Sequence, residues 1–165
     1  MVMDSDEHIL AHILSVWRES KKFLSIGGKE GMLFLTDRHL MFVHKTQAKT
    51  KWWGAVRERQ TLSLLRSKNI MFHHDGYGEK DLVLDLENKK NVEVSFDDIL
   101  SISYKEKVWG SVLNVEYVKN GKKEKHQYAI AQDWVKYPAK EPMKYMKVDW
   151  EPFVQYIKDN QKLIP

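Results

Sequence analysis

The sequence predicts a mainly β domain with helices, an α+β barrel of about seven antiparallel strands carrying one helix at each end of the chain. Three observations predict it. Short apolar runs punctuated by turn residues recur from Phe23 to Ile130. Asn120-Gly121 stands between two alternating runs, a strong hairpin signal. Trp150, Phe153, Val154 and Ile157 follow at i, i+3, i+4 and i+7, the single apolar stripe of a terminal helix.

The elements follow in order. Asp4 and Glu7 have the spacing of a capping box, and Leu10, Ile13, Leu14 and Trp17 form a helical stripe, so an extra N-terminal helix is expected over 4–20. Phe23–Ile26 is a short apolar run ended by Gly27-Gly28. Met32–Thr36 and Leu40–His44, joined by Asp37-Arg38-His39, read as a hairpin. Both of its runs are apolar on both faces, which places it centrally.

Residues 45–68 form a basic insertion, predicted as an amphipathic helix over about 51–67. Thr61–Leu65 also reads as a strand, because Leu62 and Leu64 alternate. Asp75–Gly78 is a turn. Leu82, Leu84 and Leu86 alternate with Val83 and Asp85 in strand fashion, and Val92, Val94 and Phe96 alternate with polar residues as a half-buried strand. Ile99–Tyr104, Ser111–Val118 and Lys125–Ile130 continue the strand series. Asp133–Val148 is expected to be irregular, with Pro138 and Pro142 breaking any helix. Asp149 then caps a helix over 149–161, where Pro152 falls in the tolerant first turn.

The 165 residues suit one domain spanning 1–165, with no internal repeat. The chain has no cysteine, which excludes disulfides, thiol catalysis and Cys-ligated metal centres, and suits a reducing, cytoplasmic compartment. The acidic start, Asp4, Asp6 and Glu7, is unlike a signal peptide. No apolar run approaches the roughly 20 residues that span a bilayer, so membrane association is expected to be peripheral at most. The net charge is +4, and its positive excess is concentrated. Residues 45–68 carry Lys45, Lys49, Lys51, Arg57, Arg59, Arg66 and Lys68 against Glu58 alone.

The run Gly31-Met32-Leu33-Phe34-Leu35-Thr36-Asp37-Arg38-His39-Leu40-Met41-Phe42 resembles the second and third strands of pleckstrin-homology-like (PH-like) domains of the GRAM and bacterial–archaeal PH type, where Gly-x-Leu-x-Leu-Thr-Asn-x-Arg-Leu-x-Phe is common. Val94–Ile102 is similar to that family's strand, turn and Ile-x-x-Ile step, and Trp150 and Phe153 match its anchored C-terminal helix. The resemblance spreads over about residues 21–160 and implies two roughly orthogonal antiparallel sheets plugged by that helix. Asp37 stands for the usual Asn and His39 for the usual Arg. The insertion after Val43 is long, and the N-terminal helix is an addition. Phosphoinositide-binding PH domains carry a Lys/Arg cluster in the first hairpin loop. Here Ser25–Glu30 offers only Lys29, so that site is not supported.

Candidate sites are few. On a helix His8 and His12 share a face and could both reach a metal, but no acid completes the site, and they read as surface histidines. His73, His74 and Asp75 are potential acid–base groups, yet strand neighbours point to opposite faces, and they read as exposed residues entering a turn. Asp97 and Asp98 read as turn caps. No nucleotide-binding glycine loop or nucleophile motif is present, and no cofactor or catalytic residue is assigned. Lys49, Lys51, Trp52, Trp53, Arg57 and Arg59 interleave aromatic and cationic groups, as at a membrane interface or on single-stranded nucleic acid. The plainer alternative packs the tryptophans on the barrel and leaves the charges to solvent.

The expected function is a non-enzymatic binding module that docks on a protein or an anionic membrane. Nucleic-acid binding through 45–68 is the alternative, and an enzyme using His73, His74 and Asp75 the second alternative.

Overall fold

The computed structural model describes residues 6–20, 28–47, 50–134 and 142–162. Among the described residues eight strands and three helices follow in order: β1 (Ile9–Ser20), β2 (Lys29–Thr36), β3 (His39–Val43), α1 (Thr50–Ser67), α2 (Glu79–Leu86), β4 (Val92–Ser95), a 3-10 turn (Phe96–Asp98), β5 (Ile99–Lys107), β6 (Gly110–Lys119), β7 (Lys122–Trp134), β8 (Pro142–Tyr145) and α3 (Glu151–Asp159). The sheet runs β4-β3-β2-β1-β7-β6-β5, and β8 pairs with β7; all these pairings are antiparallel.

The expected two sheets are two halves of one hydrogen-bonded sheet, joined through β1. Its first part pairs with β2, from Ile9 opposite Thr36, and its last five residues also pair with β7, from Val16 opposite Ile130. The sheet curls, because residues from both halves enclose one core. Ala11, Ile13 and Val16 of β1 meet Leu33, Phe42, Leu113, Tyr128 and the buried face of α3 there. Trp150, Phe153, Val154 and Ile157 are all buried, as the stripe predicts. The Trp150 indole lies edge-on to Phe153 at 5.5 Å and donates to the Ser111 carbonyl at 3.3 Å. Asp149, expected to cap α3, lies one residue before its N-cap, Trp150, where its Oδ1 accepts the Glu151 N–H at 3.0 Å. At its far end Gln161 Nε2 donates to the Phe96 and Ile99 carbonyls at 2.8 and 2.9 Å, tying the helix across the gap between β4 and β5. The architecture is α+β: among the described residues, an antiparallel sheet of seven to eight strands with three helices, the last C-terminal.

The N-terminal element is corrected. The described part of 4–20 contains strand β1, not a helix. Two bulges break its register, between Ile9 and Ala11 and between Ile13 and Val16. Ser15 sits at φ 55° in the second. The strand is buried on both faces. Ala11, Ile13 and Val16 enter the barrel core, whereas Ile9 and Leu14 enter a second apolar cluster outside it. A strand apolar on both faces and shifted by bulges places Leu10, Ile13, Leu14 and Trp17 at helical spacing by coincidence of period.

The second cluster explains the insertion. Met32, Phe34, Met41 and Val43 on the outer face of the β2–β3 hairpin are covered by Val56 of α1, Tyr77 and Leu82 of α2. The expected central hairpin is therefore covered on both sides, and α1 matches the predicted 51–67 helix. Leu82, Leu84 and Leu86 do not form a strand. They lie in α2, where Leu82 and Asp85, three apart, are buried and Leu84 is exposed. The Gly78 N–H donates to Asp81 Oδ2 at 2.8 Å at the start of this helix. The irregular region predicted over 133–148 contains β8, paired with the end of β7. Asn120 and Gly121 take φ 52° and 75°, as a tight hairpin turn requires. The apolar run Phe23–Ile26 lies outside the described residues.

Candidate binding surface

Three buried polar clusters show what the titratable residues do. Beside the β2–β3 turn, Thr36 Oγ1 accepts N–H bonds from Arg38 and His39 at 3.1 and 2.8 Å and is hydrogen-bonded to Glu7, which also meets His39 Nδ1 at 2.8 Å. His39 thus pairs with Glu7. Asp85 accepts from Thr46 Oγ1 (2.6 Å), the Gln47 N–H (2.8 Å) and the Tyr77 hydroxyl (2.5 Å), while Asn91 brackets the backbone of His44 and Lys45. These bonds fix the chain as it leaves β3. Burial, then the Asp85 bond, drives the Tyr77 hydroxyl pKa far up.

The third cluster contains the histidines. His12 is fully buried, not a surface residue: it stacks on Phe34 at 4.3 Å, and Nε2 lies 3.0 Å from Met32 Sδ. Burial holds its pKa well below the usual histidine value, with the His74 charge adding to the effect. His8 is exposed, and its backbone N–H donates to Asp37 Oδ1, so the strand does not pair these histidines as a helix would. His74 is half-buried with Nε2 2.9 Å from Gln60 Oε1. Burial first, and then the Arg59 charge, lower its pKa to about 4. His73 and Asp75 are exposed. Asp97 and Asp98 are exposed in the 3-10 turn, where Asp97 Oδ1 accepts the Lys162 N–H at 2.8 Å. Among the described residues no group of three or more His, Asp or Glu is placed to hold one metal ion.

Gln60 links this cluster to the β1 bulge. Its side chain accepts the Leu14 N–H and donates to the Leu14 carbonyl, both at 2.8 Å. The bulge leaves these backbone groups without strand partners, and one buried amide supplies both.

The outer side of α1 is the basic surface. Val56, Gln60 and Leu64, at i, i+4 and i+8, form the buried stripe. Arg57 and Arg59 are exposed on opposite flanks of it, about 200° apart around the helix. Arg57 acts on Glu30, whose carboxyl burial pushes up and the arginine charge pulls back, while Arg59 acts on His74. The structure thus separates these two arginines across the helix. Lys49 and the side chains of Lys51, Trp52 and Trp53 lie outside the described residues. Arg66 and Lys68 are exposed at the end of α1, together with Leu62 (60% exposed) and Leu65 (57%).

A neighbouring feature was not singled out by sequence. The β5–β6 turn, Val108-Trp109, projects two large apolar residues into solvent beside Leu65 and Lys68. Its signal was present: two bulky apolar residues where a tight hairpin turn favours Gly, Asn or Asp. No described helix is long and apolar enough to cross a membrane.

The chain matches no protein-family model and no curated protein. Among solved structures it is similar to one described as the Vps36 N-terminal PH domain, at 12% identity and a TM-score of 0.47, over 96% of this chain and 82% of that one.

Proposed function

We propose that this chain is a non-enzymatic PH-like binding module that docks on an anionic membrane surface through the segment 45–68, with Lys49, Lys51, Trp52, Trp53, Arg57 and Arg59 in the contact. The Gly31–Phe42 hairpin and the Val94–Ile102 step support placing it with the GRAM and bacterial–archaeal PH type. The observation that carries the proposal is the outer side and C-terminal end of α1, where exposed Arg59, Arg66 and Lys68 accompany exposed Leu62 and Leu65. A merely solvated helix face does not need two large aliphatic side chains among its cations. Cations attract anionic lipid at about 1 kcal/mol each near the surface, and apolar neighbours add short-range burial.

The test is sedimentation with phosphatidylserine-containing and pure phosphatidylcholine vesicles, using wild type and Lys49→Glu/Lys51→Glu/Arg57→Glu. Wild type is expected to sediment with the anionic vesicles alone, less so as the Debye length shrinks from about 10 Å at 0.1 M salt to about 3 Å at 1 M. Equal binding by the charge-reversed variant refutes the proposal. So does binding to single-stranded oligonucleotides, but not vesicles, with the same salt dependence.

A further inference from the structure

The β5–β6 turn is a two-residue connection, since Lys107 pairs with Gly110. At its tip Val108 is 95% exposed, and Trp109 is 53% exposed. Neither exposure serves the fold. The indole is nevertheless held in place: it packs on the Tyr145 ring at 5.2 Å, and Gly110 at φ 157° lets the turn approach β8, where a Cβ would come within 2.5 Å of Tyr145 Cβ. The turn therefore presents a positioned apolar tip. Beside it lies a concavity of ≈ 410 Å³ lined by Leu65, Lys68, Lys144 and Lys147 with the two turn residues. The described lining includes three lysines and no carboxylate, and each of these lysines is exposed.

We infer that Val108 and Trp109 are the apolar anchor of membrane docking, entering the interface of an anionic bilayer while Lys68, Lys144 and Lys147 engage its headgroups. The inference rests on the proposed membrane docking and adds where the bilayer is entered. Charge complementarity commits the partner: a concavity whose described charged lining is cationic suits a surface of phosphate and carboxylate groups. Shape agrees, because an apolar tip that projects can enter a soft interface without a matching pocket. Indole favours the headgroup level, and lysine stems can lie along apolar surface while their ammonium groups stay in water. Leu65 and Lys68 also belong to the α1 segment, so one approach brings both regions to the bilayer.

The absence of cysteine makes the test direct. Val108→Cys carries a polarity-sensitive fluorophore, and Lys122→Cys carries the same label at the far end of β6, about 30 Å away by strand rise. With phosphatidylserine-containing vesicles the Val108 label is expected to brighten and shift to the blue, and the Lys122 label to stay water-like. Val108→Asp should weaken partition by at least about tenfold without lowering the melting temperature, because a side chain this exposed contributes little to packing. Lys68→Glu/Lys144→Glu/Lys147→Glu should weaken it strongly at about 0.1 M salt and little further at about 1 M. If wild type binds the vesicles while the Val108 label stays water-like and Val108→Asp binds equally, the anchor is overturned and docking through α1 stands. If wild type binds no anionic vesicle, both are overturned.

Discussion

Replacing Gln60 by Met keeps the length of a buried side chain and removes its hydrogen-bonding end. In the native protein that amide satisfies both backbone groups of Leu14 at 2.8 Å and meets His74 Nε2 at 2.9 Å. An unsatisfied buried polar group costs about 1–3 kcal/mol, so losing both backbone partners costs roughly 2–6 kcal/mol. Against a typical total stability of about 5–15 kcal/mol that is a large share. Urea unfolding at neutral pH should show a lower midpoint with an unchanged m-value, and amide exchange at Leu14 should quicken. Gln60→Glu retains an acceptor for the Leu14 N–H but, when ionised, offers nothing to the Leu14 carbonyl, so it too should destabilise. If Gln60→Met unfolds at the wild-type midpoint with Leu14 exchange unchanged, Gln60 is not what closes the β1 bulge.

Acid should weaken the fold. The pKa values of His12 and His74 are lowered in the folded protein, chiefly by burial, so below about 6.5 the unfolded chain binds more protons and stability falls with pH towards about 4. The His74 shift is worth at most about 3 kcal/mol; solvent screening at this half-buried site reduces that to roughly 1–2 kcal/mol. His74→Gln should flatten the decline in melting temperature between pH 7 and pH 5, and an unchanged slope contradicts the assignment. Trp150→Ala or Phe153→Ala should cost about 3–5 kcal/mol in urea unfolding, since both rings are fully buried; a loss below about 1 kcal/mol means that α3 does not plug the barrel. Gly110→Ala should cost about 1–3 kcal/mol through backbone strain and the clash with Tyr145, and a neutral result would show that the β5–β6 turn is not held against β8.

Elements whose burial has one period were legible in the sequence. The α3 stripe and the alternating β4 strand repeat at the interval their geometry demands, and Asn120-Gly121 supplies the positive φ its turn requires. The β2–β3 hairpin was legible as central because both its faces are apolar. β1 was not, since burial on both faces combined with two bulges erases the period of two and imitates a helix. α2 was masked by leucines at every second position, a period its eight residues are too few to contradict. β8 depends on a partner, β7, that local sequence does not reveal. Of the candidate surface, sequence identified the cations of 45–68 but not that Arg57 and Arg59 flank opposite sides of a buried stripe. Val108 and Trp109 matter through exposure, which is a property of the folded surface rather than of the pattern along the chain. His12 shows the converse: on a helix it would be a surface residue, whereas the strand turns it into the cluster beneath α1.

Hydrogen–deuterium exchange of the full chain, with and without phosphatidylserine-containing vesicles, tests the docking account most directly, because it locates the contact without altering a residue. Slower exchange is predicted on vesicle binding around the end of α1 and across the β5–β6 turn and β8, with the β6–β7 turn at Asn120-Gly121 unchanged. No protection anywhere, or protection confined to the β6–β7 turn, would contradict membrane docking through this face.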